Sequence, residues 1–271
     1  MDKLFGLKER VAIITGGMGQ LGVVYAAGLL DRGCKVAILD TASKPRTKND
    51  AFEKGQATGQ LINLTTCVHR RDEVEAAFQE VKKTFGLPDI LINNAALDSP
   101  PHAPQSDVGP FETYPESSYD EVMRVNVKGT VICCQVIGAH MAARGKGSII
   151  NISSIYGILS PCQDIYDFRR KKGEVFFKPV AYSISKSAIL NLTRYLATYW
   201  AKSGVRVNTL TPAGVFNHQP DEFLKAYCSR VPMGRMAKAQ ELLGAIIYLA
   251  SDASSYVTGS NLVVDGGWSA W

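Results

Sequence analysis

The chain has 271 residues, 46% of them hydrophobic and 20% charged, a balance that excludes disorder and suits one large α/β domain or two small ones. Its formal charge of +5, with Arg169-Arg-Lys-Lys172 as the one dense basic cluster, lacks the long basic face that nucleic-acid binding requires. Six cysteines (Cys34, Cys67, Cys133, Cys134, Cys162, Cys228) show no metal-site spacing, no apolar run reaches the ~20 residues that cross a bilayer, and residues 1–10 lack a signal-peptide core, so we expect a cytoplasmic protein with no metal, disulfide, membrane or nucleic-acid partner.

Arg10 to Thr15 is a short apolar run rich in β-branched residues, predicted as a strand. Gly16-Gly-Met-Gly-Gln-Leu-Gly22 follows at once, and then a helical pattern through Leu21, Val24, Tyr25, Gly28 and Leu29. Strand, glycine turn and helix is the order a dinucleotide site needs: the glycines let the backbone approach a pyrophosphate, whose charge rests on the helix N-terminus. The same turn also serves as a tight connection without ligand. The next strand, Cys34 to Asp40, ends in an acid that can accept hydrogen bonds from an adenosine ribose and would repel a 2′-phosphate, which favours NAD over NADP. Lys44 and Arg46 close behind keep NADP in play.

Residues 41–54 read as a polar loop with room for a short helix, Gln60 to Asn63 as a third strand, and Arg71 to Thr84 as a helix with Val74, Ala77, Phe78 and Val81 on one face. Asp89 to Ala96 is apolar almost throughout, as a strand buried on both faces must be. A Pro-rich loop, a long helix from about 118 to 144 and a fifth strand, Gly147 to Ser154, come next. Val205 to Thr211 and Asn261 to Asp265 supply the last two strands, either side of a polar flap with a short helix near 222–229 and an apolar helix at 239–251. The alternation predicts a single α/β, doubly wound Rossmann domain over 1–271, with a seven-stranded parallel sheet flanked by helices. Loops at 97–117, 158–178 and 216–236 are the candidates to shape a substrate pocket.

In Ala181 to Arg194, Ala188, Ile189 and Leu192 recur at helical spacing, so Tyr182 and Lys186 share one helix face. A phenol is a poor acid or base near neutrality, and an adjacent ammonium favours its phenolate; the pair suits proton exchange with an alcohol or carbonyl. Alone, such a pair also arises by chance on an amphipathic helix.

Taken together, Thr15-Gly16…Gly22, Asp40, Asn93-Asn-Ala-Ala96, Asn126, Ser153-Ser154, Tyr182…Lys186, Pro212…Val215 and Thr258-Gly…Val264-Asp-Gly-Gly267 resemble a classical short-chain dehydrogenase/reductase along the whole chain. The resemblance implies a catalytic set of Asn126, Ser154, Tyr182 and Lys186. Tyr182 exchanges the proton, Ser154 donates to the substrate oxygen, Lys186 holds the nicotinamide ribose and lowers the Tyr182 pKa, and Asn126 orders a relay water near Lys186. It implies cofactor contacts from Gly16, Gly19, Gln20, Leu21 and Gly22, from Asp40, from Asn63 and Leu64 beside the adenine, from Asn94 and Ala95, from Tyr182 and Lys186, and from Pro212 and Val215, the last through its backbone. A homotetramer or homodimer is also implied, with Trp268 and Trp271 in an interface; a Trp covering its own core is the plain alternative.

The chain departs from the family pattern at several points. Gln20 stands where a glycine is usual, Asn63 and Leu64 where an Asp is common beside the adenine, and Ala96 and Ala213 at two further glycine positions. Ser154 and Tyr182 are 28 positions apart, well above the usual spacing. The extra stretch carries a decoy, Tyr166-Asp-Phe-Arg-Arg170, set aside because arginine does not vary its charge and the segment has no sustained apolar stripe. Arg169, Arg170, Lys171 and Lys172 offer either attraction for a carboxylate or phosphate or a solvated basic loop. The insertion and the glycine turn are similar to oxidoreductases of polysaccharide and flagellin-glycan biosynthesis, and to gluconate 5-dehydrogenase-like enzymes. Both imply a polyhydroxylated small-molecule substrate, neutral or anionic, and hydride transfer between a secondary alcohol and a ketone. An NADPH-dependent reductase of a non-sugar carbonyl compound and a non-catalytic dinucleotide sensor are the competing readings.

Overall fold

The structure, a computed structural model, describes residues 3–97 and 108–271. Seven strands, β1 (Val11–Thr15), β2 (Lys35–Asp40), β3 (Leu61–Thr65), β4 (Ile90–Asn93), β5 (Gly147–Ile152), β6 (Val205–Pro212) and β7 (Asn261–Val264), form one sheet in the order 3-2-1-4-5-6-7. Every pairing is parallel. The central strands β1 and β4 are buried along their whole length, which is why their sequences are unbroken apolar runs. Strand order reverses between these two, so successive helices cover opposite faces and a crevice opens beyond their C-terminal ends.

The main helices are α1 (Gln20–Leu30), α2 (Asp50–Ala57), α3 (Arg71–Phe85), α4 (Glu116–Arg144), α5 (Val180–Trp200), α6 (Asp221–Cys228) and α7 (Leu243–Ala250). One core layer joins Tyr25 and Leu29 of α1, Phe52 of α2 and Ile246 of α7 to one sheet face; the other joins Phe78 of α3, Ile137 and Met141 of α4 and Trp200 of α5 to the opposite face. A third apolar cluster, with Tyr156, Ile165, Tyr166, Phe176, Phe223, Tyr227 and Trp268, roofs the strand ends. The insertion is therefore a packed element. Trp268 takes the plainer of its two expected roles and covers this core against the Tyr227 ring at 4.6 Å, whereas Trp271 is exposed.

Two helices show more than their sequences suggest. The short helix that residues 41–54 had room for starts at Asp50 and runs on to Ala57: the Asn49 side chain accepts from the Phe52 N–H, and Phe52 is wholly buried. The second is α4, which spans 29 residues and contains a window apolar enough to cross a membrane, although half of that window is buried in this protein. Lys128, Gln135 and His140 interrupt it, so its sequence shows no unbroken apolar run of that length. Two stretches of α4, Arg124–Gly129 and Cys134–Gly138, wind with wide π turns, and the first carries Asn126.

Candidate active site

The crevice begins at the glycine turn. Gly16 takes φ +63°, and a Cβ there would lie 2.7 Å from the Ala95 Cα; a Cβ on Gly22 would lie 2.4 Å from the Gly16 carbonyl oxygen. Only glycine lets α1 start this close to β1 and β4. Asn94 locks the same turn, its Nδ2 donating to the carbonyls of Thr15 (3.2 Å) and Gly16 (2.9 Å) while the backbone N–H groups of Asn94 and Ala95 donate to Thr15 Oγ1. Asp40 locks it from the other side: its carboxylate accepts from the N–H groups of Met18 and Ala42, both at 2.9 Å.

Two adjoining cavities follow from this turn. The first, of about 570 Å³, is lined by Gly16, Gly19, Gln20, Leu21, Asp40, Arg46, Thr66, Cys67, Val68, His69, Asn94 and Ala95, among others. The second, of about 560 Å³, shares Gln20, Leu21, Arg46, Asn94, Ala96 and Leu97 with it and continues to Ser154, Tyr156, Tyr182, Lys186, Pro212 and Val215. Their joint size and their place across the strand-order reversal fit an extended dinucleotide with a substrate at its far end. Asn63 and Leu64, expected beside the adenine, are not among the residues that line either cavity. They lie within β3, paired with Ile38 and Leu39. β3 runs two residues further than its sequence suggests, so Thr66, Cys67, Val68 and His69 reach the cavity instead. Cys67 Sγ sits 3.3 Å from His69 Nδ1, and burial with the charges of Arg124 and Lys128 lowers the His69 pKa.

At the far end α5 carries Tyr182 and Lys186. Pro179, whose ring cannot continue a helix toward its N-terminus, precedes the first residue, and Ala181, Ile189, Leu196 and Ala197 bury the inner face. Ser153 Oγ donates to the Lys186 carbonyl at 2.8 Å and pins the helix to β5. Lys186, 5% exposed, donates from Nζ to the Ile152 carbonyl at 2.9 Å, and its ammonium lies 5.8 Å from the Tyr182 ring centroid. Ser154 caps the turn Ile155–Gly157, its Oγ accepting from the Tyr156 N–H at 3.2 Å. That bond uses a lone pair and leaves the hydroxyl proton to donate. Ser154, Tyr182 and Lys186 thus line one wall, as the spacing on α5 anticipates.

Asn126 is buried in the first wide-turn stretch of α4. Its Oδ1 accepts from the Leu97 N–H (2.7 Å) and its Nδ2 donates to the Leu97 carbonyl and Ser185 Oγ (both 3.0 Å), so this amide ties the segment after β4 to α4 and α5. The Val215 carbonyl accepts from the Gln219 side chain at 3.0 Å, and Gln20 Nε2 donates to the Phe216 carbonyl at 2.7 Å, joining the turn to the flap. In the loop 97–117, the residues 98–107 lie outside the described residues.

Of the four basic residues in the insertion, three meet local partners: Arg169 pairs with Glu174, Arg170 with Asp167 and Lys172 with Glu222. None of the four lines the second cavity. Lys178 does, 8% exposed, with Nζ 4.6 Å from the Tyr182 ring centroid. The sequence held one signal for it, a single cation inside Phe176-Phe-Lys-Pro-Val180. Tyr166, the decoy, also reaches the cavity but packs between Phe176 and Phe223 at 4.6 and 5.7 Å.

A family model described as Enoyl-(Acyl carrier protein) reductase matches residues 19–269. D-arabinitol 2-dehydrogenase [ribulose-forming] of Scheffersomyces stipitis is 35% identical over 98% of this chain and 96% of its own. The solved structure of a short chain dehydrogenase from Leptospira borgpetersenii with bound NAD+ superposes with a TM-score of 0.85 at 30% identity, covering 99% of this chain and 96% of that one. A gluconate 5-dehydrogenase from Burkholderia cenocepacia, in complex with NADP and tartrate, superposes with a TM-score of 0.82 at 28% identity, covering 99% and 98%.

Proposed function

This chain belongs to the short-chain dehydrogenase/reductase family, and on that footing we propose that it interconverts a secondary alcohol and a ketone on a polyol or sugar acid, with Tyr182 as the proton-transfer residue. Its class is an NAD(P)-dependent oxidoreductase acting on CH–OH groups. The observation that carries the mechanism is the meeting of Ser154, Tyr182 and Lys186 on one wall of a cavity continuous with the glycine turn.

The bare backbone at Gly16 and Gly22, where a Cβ would collide, and the cavity floored by Asp40 fit a dinucleotide. When bound, a nicotinamide dinucleotide supplies the acceptor or donor of hydride. The chain's own residues manage the proton and the geometry. As hydride leaves the carbinol carbon, the hydroxyl proton passes to the Tyr182 oxygen; in reduction the same oxygen returns it. Ser154 directs its free proton at the substrate oxygen and stabilises the charge that develops there. The Lys186 ammonium favours the Tyr182 phenolate, and as a donor-only group it suits a ribose hydroxyl. Asn126 acts on this set by holding Ser185 and the Leu97 backbone.

The polyhydroxylated substrate is supported by the arabinitol and gluconate dehydrogenase relatives and by the polar side chains of Asn217, Gln219 and Lys178, which line the same cavity as the reacting groups. We favour NAD because the Asp40 carboxylate, fixed by two backbone N–H groups, holds a negative charge where a 2′-phosphate would approach. Self-association as a homotetramer or homodimer has support in the exposed rings of Tyr195 and Tyr199 along α5 and of Trp271.

The test is NADH formation, followed by absorbance, over a panel of alditols, aldonates, hexuronates and amino-sugar derivatives, with Tyr182→Phe and Tyr166→Phe alongside. Turnover that vanishes in Tyr182→Phe and survives in Tyr166→Phe supports the assignment. Turnover kept in Tyr182→Phe overturns it, and a clear preference for NADPH overturns the role given to Asp40.

A further inference from the structure

The insertion between Ser154 and Tyr182 ends by delivering a cation to the reacting wall. One side chain fixes the main chain of Lys178 at both of its polar groups: the Lys178 N–H donates to Gln163 Oε1 at 2.8 Å, and its carbonyl accepts from Gln163 Nε2 at 3.3 Å. Phe176, before it, is wholly buried; the Phe177 N–H donates to the Val108 carbonyl at 2.8 Å; Pro179, after it, starts α5. Held on both sides, the Lys178 ammonium stands 4.6 Å from the Tyr182 ring centroid and 5.9 Å from that of Tyr156. Lys186 stands 5.8 Å from the same Tyr182 ring. The phenol is therefore approached by two ammonium groups from two different segments.

We propose that Lys178 is a second positioning residue for proton transfer: it steadies the Tyr182 ring and, with Lys186, favours the phenolate. The proposal rests on the reading of Tyr182 as the proton-transfer residue. A cation within about 4–6 Å favours an ionised partner, and a partly buried wall screens that attraction less than water does. A charge over an aromatic face also restrains the ring. Several other groups face Tyr182 here. Lys186 comes from α5, Tyr156 from the turn after β5, and Tyr166 from the insertion. Tyr227 comes from α6, with its pKa raised mainly by burial, and Arg46 lies across the cavity. Among the described residues that line this cavity, the lysines and Arg46 carry charge at neutral pH, and Lys178 is nearer the Tyr182 ring than Lys186.

Phenolate absorbance of the apoprotein, titrated with pH and corrected by subtracting the Tyr182→Phe protein, reads Tyr182 without needing a substrate. Lys178→Met and Lys178→Gln are expected to raise the Tyr182 midpoint by about one pH unit, and Lys178→Arg to restore it. With any substrate the panel identifies, the acid limb of kcat/KM moves up by the same amount. A purely structural role for Lys178 lowers kcat at every pH and leaves both midpoints in place, which overturns the proposal, as does a Lys178→Arg protein that behaves like Lys178→Met. A panel with no turnover counts against the substrate reading alone, because the absorbance titration still decides the part played by Lys178.

Discussion

Gly22 sits where α1 meets the glycine turn, and replacing it by alanine puts two effects in opposition. An alanine in a helix interior gains about 1 kcal/mol over glycine through backbone entropy. Here the added Cβ would stand 2.4 Å from the Gly16 carbonyl oxygen and 2.5 Å from the Gly17 Cα, about 1 Å inside ordinary contact with atoms that have no rotamer to escape through. Overpacking of this kind costs roughly 1–3 kcal/mol, and more against backbone than against a flexible side chain. The clash wins, and α1 is displaced from β1 and β4. Gly22→Ala is expected to lose about 2 kcal/mol, a fall in Tm of roughly 3–4 °C for a chain of this size, and to weaken NADH binding at least tenfold because the helix N-terminus moves off the pyrophosphate. Gly244→Ala in α7, where a Cβ meets nothing within 4 Å, is the control and is expected to gain up to about 1 kcal/mol. Thermal melting and calorimetric titration with NADH read both quantities. A Gly22→Ala protein as stable as the parent and binding NADH equally well would falsify the claim that the turn and helix are in closest approach there.

The cysteines should divide in a labelling experiment at pH 8. Burial pushes the thiols of Cys34 and Cys134 up to about 12 and raises Cys133 as well, so these stay unmodified in the native protein. Cys67 lines the dinucleotide cavity, so NADH is expected to slow its alkylation and to leave Cys228 unaffected; equal rates with and without NADH would remove Cys67 from the binding surface. Glu241 provides a pH signature. Hydrogen bonds from the Arg235 guanidinium, and then from the Lys238 N–H, draw its carboxyl down to about 2. A depressed carboxyl stabilises the fold above its unfolded value of about 4.3 and loses that contribution as pH falls through the folded value. The stability gap between the parent and Glu241→Gln should therefore be full at pH 6 and close between about pH 4 and pH 2, and it should shrink with salt because the pair is exposed. A gap that widens on acidification contradicts the pairing.

Much of the protein follows from local pattern. A strand buried on both faces has to be an unbroken apolar run, so β1 and β4 are visible as composition, and the turn between β1 and α1 is visible as glycine because no other residue fits Gly16 at φ +63°. The helical repeat that places Tyr182 and Lys186 on one face is a property of the chain alone, and it holds in α5. What the tertiary structure decided are matters of register and reach. β3 extends to Thr65, and with that extension, stabilised by pairing with β2, Thr66, Cys67 and Val68 line the cavity whereas Asn63 and Leu64 do not. The basic cluster Arg169–Lys172 is conspicuous as a string of letters, yet three of its members find carboxylates nearby. The cation that this insertion brings to Tyr182 is Lys178, set in the sequence between Phe177 and Pro179, its main chain held by a glutamine fifteen positions earlier. Asn126 was legible as a polar residue inside a helix, but only the folded chain shows its amide binding Leu97 and Ser185. Periodicity records which face a residue takes on its own element; which atoms it meets depends on how far neighbouring elements run and where an insertion packs, and those are set by burial across the whole domain.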